Sequence, residues 1–179
     1  MLNSPKLHGN IVPIQGSTTS HDDVQRTVDT IKKDTGYIDI LVNNAGMTTF
    51  DSNPNARPMP VPGESSVEEM SDYFFNYRPA ELWKDTLETN IAAVFTVSMA
   101  FLPLLDAGNK RRAKDSPKSQ IITIGSTGGL TRFTPSIIYN ASKVCSTIHN
   151  SCLEPETDQI RIGWRASSNE ESRRIFRAL

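Results

Sequence analysis

Ile38-Asp39-Ile40-Leu41-Val42 runs without a break into Asn43-Asn44-Ala45-Gly46, an apolar stretch ending in small, turn-forming residues. A short apolar run bounded in this way reads as a buried strand. Upstream, Ser20 and Asp23 form a helix-start pattern of the capping-box type, and Val24, Val28 and Ile31 recur at helical spacing until Gly36. Further back, Ile11-Val12-Pro13-Ile14, within Asn10 to Gln15, reads as a short strand weakened by its proline. Strand, helix and strand in this order predict a parallel α/β sheet.

Downstream, Pro54, Pro58, Pro60 and Pro62 make residues 51–63 a loop in which no helix can form. This segment reads as a solvated excursion. A helix is predicted from Pro79 to about Ala107, ended by Gly108, with Leu82, Leu87, Ile91, Val94, Phe95, Leu102 and Leu105 on its buried side. Asn90 sits inside it, and Pro103 is expected to kink it or end its regular part. Ile121-Ile122-Thr123-Ile124 then reads as a strand that delivers Gly125-Ser126, with Gly128-Gly129 as a flexible turn beyond. Lys110-Arg111-Arg112-Ala113-Lys114 is basic but has no interleaved aromatics. It reads as a solvated helix end rather than a nucleic-acid surface.

Tyr139 and Lys143 lie four residues apart in Tyr139-Asn140-Ala141-Ser142-Lys143, with Ser126 thirteen residues before the tyrosine. On a helix, positions i and i+4 share a face. A phenol alone titrates near pH ~10, and a neighbouring cation favours its phenolate. Such a pair can exchange a proton with a substrate oxygen near neutral pH, which is chemistry at a carbonyl or alcohol.

Taken together, Asn43-Asn44-Ala45-Gly46, Asn90, Ser126 and Tyr139-x-x-x-Lys143, in this order and on these elements, resemble the short-chain dehydrogenase/reductase family in its classical branch, from about Asn10 to Thr147. The resemblance implies an NAD(P)-binding, Rossmann-like, doubly wound parallel sheet and an oxidoreductase acting on a small carbonyl or alcohol substrate. It implies that Tyr139 is the general acid/base, that Lys143 is its electrostatic partner and holds the nicotinamide ribose, and that Ser126 binds the substrate oxygen. Asn90 would hold a water in a proton relay to Lys143. Asn43, Asn44, Ala45 and Gly46 would let the backbone approach the adenosine half of the cofactor. The cofactor is expected to be NAD or NADP, with NADP favoured. A homo-oligomer would form through the Asn90 and Tyr139 helices. Ala141, Cys145, Ile148 and Cys152 form a small-residue stripe on the latter, which suits either that interface or packing against the sheet.

Three features depart from the family pattern. The sequence holds no turn of the form T-G-x-x-x-G-x-G, so the sheet is expected to be incomplete, lacking the first two strands and the glycine-rich turn. Ile11 to Ile14 must then pair with Ile38 to Val42, detach, or borrow a partner from another chain. Ser17 stands where the family has an adenine-binding aspartate. Ile160-Arg161-Ile162 falls at the start of a sixth strand, but Gly163-Trp164-Arg165 then leaves the pattern, and 154–179 reads as a divergent tail. The expectation is one partial domain over 1–179. The alternative is a non-catalytic truncated isoform or incomplete gene model that keeps the catalytic set but binds cofactor poorly.

Composition bears on what remains. With 179 residues, 37% hydrophobic, the chain can bury one core. A formal charge of -1 gives no global pull toward nucleic acid or anionic lipid. No apolar segment is expected to be long enough to span a bilayer, and Met1 to Pro5 resembles no leader, so the default compartment is the cytosol. Cys145 and Cys152 are seven apart on one predicted helix, which suits neither a disulfide nor a metal, and the three histidines are scattered.

Overall fold

The computed structural model describes residues 11–48, 57–61, 63–76, 80–130, 136–153 and 161–167, with backbone alone for 146–153 and 161–167. Helix α1 (His21–Asp34) leads to strand β1 (Ile40–Asn43), and α2 (Val67–Phe75) and α3 (Ala80–Leu87) follow. A wide π turn (Glu88–Ala92) passes into α4 (Ala93–Lys110), and then come β2 (Gln120–Ser126), a 3-10 turn (Thr127–Gly129), α5 (Ile137–Leu153) and β3 (Arg161–Ser167). The strands form one parallel sheet in the order β1-β2-β3, with Leu41 opposite Ile121 and Gln120 opposite Arg161. Parallel neighbours need crossover helices, and α4 and α5 are those crossovers.

One face of the sheet is layered. Val24 and Val28 of α1 pack on Phe101 and Leu104 of α4, and Leu105 packs on Ile121 of β2, with Ile38 and Leu41 joining both groups. Burial of this apolar surface is the main favourable term holding α1 and α4 on the strands. Gly108 sets how closely they approach, since a Cβ there would lie 2.3 Å from the Ile38 carbonyl oxygen. At the lower end of β1, Arg111 and Arg112 both pair with Asp39, and the Arg111 guanidinium lies 3.8 Å from the Tyr37 ring centroid. Burial works to raise the Asp39 carboxyl, but the two guanidinium hydrogen bonds outweigh it and hold the group below its ordinary value. The basic run is thus partly spent on local ion pairs, as Lys110 also pairs with Asp106.

Several expectations need correction. Ile11 to Ile14 is not a strand and does not pair with β1, and Val12 is 77% exposed. Pro13 cannot donate to a ladder, and among the described residues β1 ends the sheet on that side. The strand starts at Ile40 rather than Ile38, because the Ile38 amide donates to the Leu104 carbonyl of α4 instead. Ser20 does cap α1, but the Asp23 carboxylate accepts from the Ser17 amide, so the reciprocal half of the box is absent. Gly108 lies inside α4, which runs through Pro103 to Lys110, and the break in regular helix falls at Glu88–Ala92 instead. That extra residue in the turn rotates the following face, which explains why Phe95 is 47% exposed.

The helical stretch Ala80–Lys110 is, by length and composition, long and apolar enough to cross a membrane, contrary to the sequence expectation. Its apolar side packs on the sheet and α1, as a core helix does. Helix α2 was not foreseen, although Ser66 and Glu69 make a full reciprocal capping box at its start. Residues 161–167 form β3, in line with the strand start read at Ile160-Arg161-Ile162, and the strand continues through Gly163-Trp164-Arg165; the rest of 154–179 lies outside the described residues, as do 51–56 and 62 of the proline-rich loop.

Candidate active site

The carboxyl ends of β1 and β2 carry the residues singled out in the sequence. In open α/β sheets this edge is where ligands bind. Strand β1 ends at Asn43, whose side chain turns inward, donating to the Ser98 hydroxyl at 2.9 Å and the Thr123 hydroxyl at 3.4 Å. It fastens the strand end to α4 and β2. Asn44, Ala45 and Gly46 are exposed beyond it, and a small cleft of about 70 Å³ opens beside them, lined by Thr18, Val42, Asn44, Ala45, Val94 and Val97 among others.

Asn90 occupies the π turn and is 1% exposed. Its amide oxygen accepts from the Met47 amide at 2.9 Å, and its nitrogen donates to the Met47 carbonyl and to the Ser142 hydroxyl, both at 2.9 Å. These bonds tie the Asn90 side chain to the loop after Gly46 and to α5. Wide turns of this kind recur at functional sites because they interrupt the helical hydrogen-bond ladder.

Ser126 closes β2, and its hydroxyl accepts from the Gly128 amide at 3.1 Å, capping the short turn. The two glycines in that turn have no positive φ, so close approach explains them better than flexibility. A Cβ on Gly129 would lie 3.0 Å from the Lys143 backbone carbon, and one on Gly128 would lie 2.4 Å from the Asn140 side-chain oxygen. The turn therefore lies directly against the first turns of α5, bringing the end of β2 beside the tyrosine helix.

Tyr139 and Lys143 stand one turn apart on α5, as their spacing predicts. The Lys143 ammonium is 5.7 Å from the Tyr139 ring centroid and donates to the Ile124 carbonyl at 3.0 Å. Burial lowers this lysine below its ordinary value, since a low-dielectric site disfavours the charged form. A Cβ on Gly46 would fall 3.2 Å from the Asn90 side-chain oxygen and 3.9 Å from the lysine nitrogen, so the loop after β1, the π turn and α5 converge here. Ser142 was missed in the sequence, although it lies three residues beyond Tyr139 and so on the neighbouring helical face. Ala141 and Cys145 are exposed, so that part of the small-residue stripe does not pack on the sheet.

The family model described as short chain dehydrogenase matches residues 3–164. A short-chain dehydrogenase/reductase of Byssochlamys spectabilis, VdtF, is 39% identical over 157 residues, covering 78% of this chain and 50% of the relative. The RhlG/NADP active-site complex of Pseudomonas aeruginosa is similar in fold, with a TM-score of 0.63 at 22% identity, over 93% of this chain and 56% of that one. An NADH-dependent reductase, A1-R', described as responsible for alginate metabolism, gives a TM-score of 0.63 at 21% identity, over 85% and 53%. The chain belongs to the short-chain dehydrogenase/reductase family. It spans about half the length of these curated relatives.

Proposed function

We propose that this chain carries the proton-transfer centre of an NAD(P)-dependent oxidoreductase acting on a small carbonyl or alcohol substrate. The observation that carries this reading is Lys143 held on the Ile124 carbonyl one turn from Tyr139, at the carboxyl edge of a parallel sheet. A nicotinamide, when bound, would supply or accept the hydride. In the reducing direction, the Tyr139 hydroxyl donates its proton to the substrate oxygen as the carbon is reduced. In the oxidising direction it takes that proton back. Lys143 stabilises negative charge on the phenol oxygen, and the Ser126 hydroxyl donates to the substrate oxygen as charge develops there. Asn90 keeps the loop and α5 in register.

The residues present fit part of the cofactor. The cleft beside Asn44, Ala45 and Val94 offers apolar walls and exposed backbone to an adenosine, and the Lys143 nitrogen offers a donor to a ribose hydroxyl. We take NADP as the favoured form; the solved neighbours include both an NADP complex and an NADH-dependent reductase, so they do not separate the two. Exposed Ala141 and Cys145 leave the outer side of α5 open to a second copy, which supports a homo-oligomer.

A second reading is favoured by one observation: the 179 residues contain no glycine-rich phosphate turn. Under it, the chain keeps the residue set but binds cofactor poorly. Titration with NADPH and NADH, followed by nicotinamide oxidation against a panel of ketones and aldehydes, decides between them. Turnover that falls about a thousandfold in Tyr139→Phe supports the oxidoreductase reading, in line with loss of a general acid. Absence of cofactor binding at millimolar concentration supports the second.

A further inference from the structure

Ser142 lies between the two residues that the proposed function uses most, yet its side chain faces away from solvent and is 0% exposed. Its hydroxyl donates to the Tyr139 carbonyl at 2.6 Å and accepts from the Asn90 amide nitrogen at 2.9 Å. A serine in mid-helix commonly bonds back to a carbonyl in the preceding turn, which contributes little to stability and often bends the helix. Here that same oxygen also receives a donor from another element, fifty-two residues away in the chain. Asn90 in turn grips both backbone groups of Met47. The result is a continuous run of bonds from the loop after Gly46, through the π turn, to the backbone of the tyrosine itself.

We infer that Ser142 is a positioning residue: its hydroxyl fixes the Tyr139–Lys143 turn against Asn90, and so against the loop expected to carry the cofactor. The inference rests on the proposed function for its catalytic consequence, but not for its structural one. Placement matters because proton transfer needs donor and acceptor within hydrogen-bond reach, and small displacements are costly. The bonds are buried, so losing the hydroxyl leaves an Asn90 N–H without its acceptor. The pair on α5 then keeps its sequence and helix but loses the tie that sets its distance from the loop.

The test uses the full 179-residue chain, with Ser142→Ala to delete the hydroxyl and Ser142→Cys to keep the volume with a much weaker hydrogen-bonding group. Nitrogen-15 spectra of the Asn90 side-chain amide report the bond directly. The expectation is an upfield shift of one amide proton and exchange faster by about tenfold in both variants. With a carbonyl substrate, kcat is expected to fall about tenfold while KM changes less than about twofold. The Cys variant should unfold at nearly the wild-type denaturant concentration, which also keeps the test valid if the Ala variant does not fold.

An unchanged Asn90 amide overturns the clamp. An unchanged kcat in a folded variant whose amide has moved overturns the positioning role. Loss of kcat only in proportion to lost stability does the same, because a purely structural serine would behave that way. If the wild-type chain shows no turnover, the oxidoreductase reading fails for this chain, and the amide measurement alone then decides whether the clamp exists.

Discussion

The two sides of β1 are built on opposite terms. Toward its carboxyl end and its covered face, several side chains of the candidate site are tied to another element: Asn43 to Ser98, Asn90 to Met47 and Ser142, and Lys143 to Ile124. On the other face and along the free edge, Ile40 and Val42 are 55% and 52% exposed, and Ile11, Val12 and Ile14 are exposed as well. The contrast shows that the candidate-site side chains are held by bonds between elements while the free edge beside them is bare. Apolar exposure of this kind on a sheet edge is also what invites association with another strand. The geometry of the candidate site and the bare edge can therefore be perturbed independently.

The largest effect is expected on the closed side. In Gly108→Ala the new Cβ would meet the Ile38 carbonyl at 2.3 Å and the Ser119 hydroxyl at 2.9 Å, and the first of these is backbone that cannot swing away. Helix α4 must lift from β1, and overpacking of this severity costs about 3 kcal/mol. Urea unfolding of the two proteins measures it. A loss under about 0.5 kcal/mol would show that α4 and β1 are less tightly joined than their contacts imply.

Ser119 offers a smaller effect of opposite sign in the same place. Among the described residues, its hydroxyl is fully buried and makes no hydrogen bond. Removing an unsatisfied buried hydroxyl relieves a desolvation cost and leaves only a small void. Ser119→Ala is therefore expected to raise stability by about 1 kcal/mol, read as a higher urea midpoint with an unchanged slope. A fall in the midpoint would mean that the serine oxygen is bonded in solution.

The sequence was legible where chemistry constrains spacing. Tyr139 and Lys143 could be placed on one helix face from their four-residue separation, and Asn43 to Gly46 could be placed after a strand from the apolar run before them. It was less legible where position depends on contacts between distant elements. Ile11-Val12-Pro13-Ile14 read as a strand from its β-propensity, and which of its possible fates it takes depends on elements far from it in the sequence. The π turn at Glu88–Ala92 has no composition signal, and missing it put Phe95 on the wrong face. Gly108 was misread for a related reason. A glycine near a helix end usually stops the helix, but here its missing side chain admits a strand. Ser142 escaped notice because its role depends on a partner that only the fold supplies.

The smallest effect on folding belongs to the open side, and it separates the two regions most cleanly. Ile40 contributes its backbone to the pairing with Gln120, but its side chain is 55% exposed. Ile40→Lys therefore gives up little buried apolar area, and its long stem can lie along the sheet while the ammonium stays in water. The stability change is expected to stay within about 0.5 kcal/mol. Association should change far more, because a charge on an exposed sheet edge opposes pairing with a second strand. Sedimentation at increasing protein concentration compares the two chains. Reduced self-association at unchanged stability would show that the bare face acts as an adhesive surface, independent of the site. If stability fell as far as in Gly108→Ala, the Ile40 and Val42 face would be covered in solution, and the contrast drawn between the two sides of β1 would collapse.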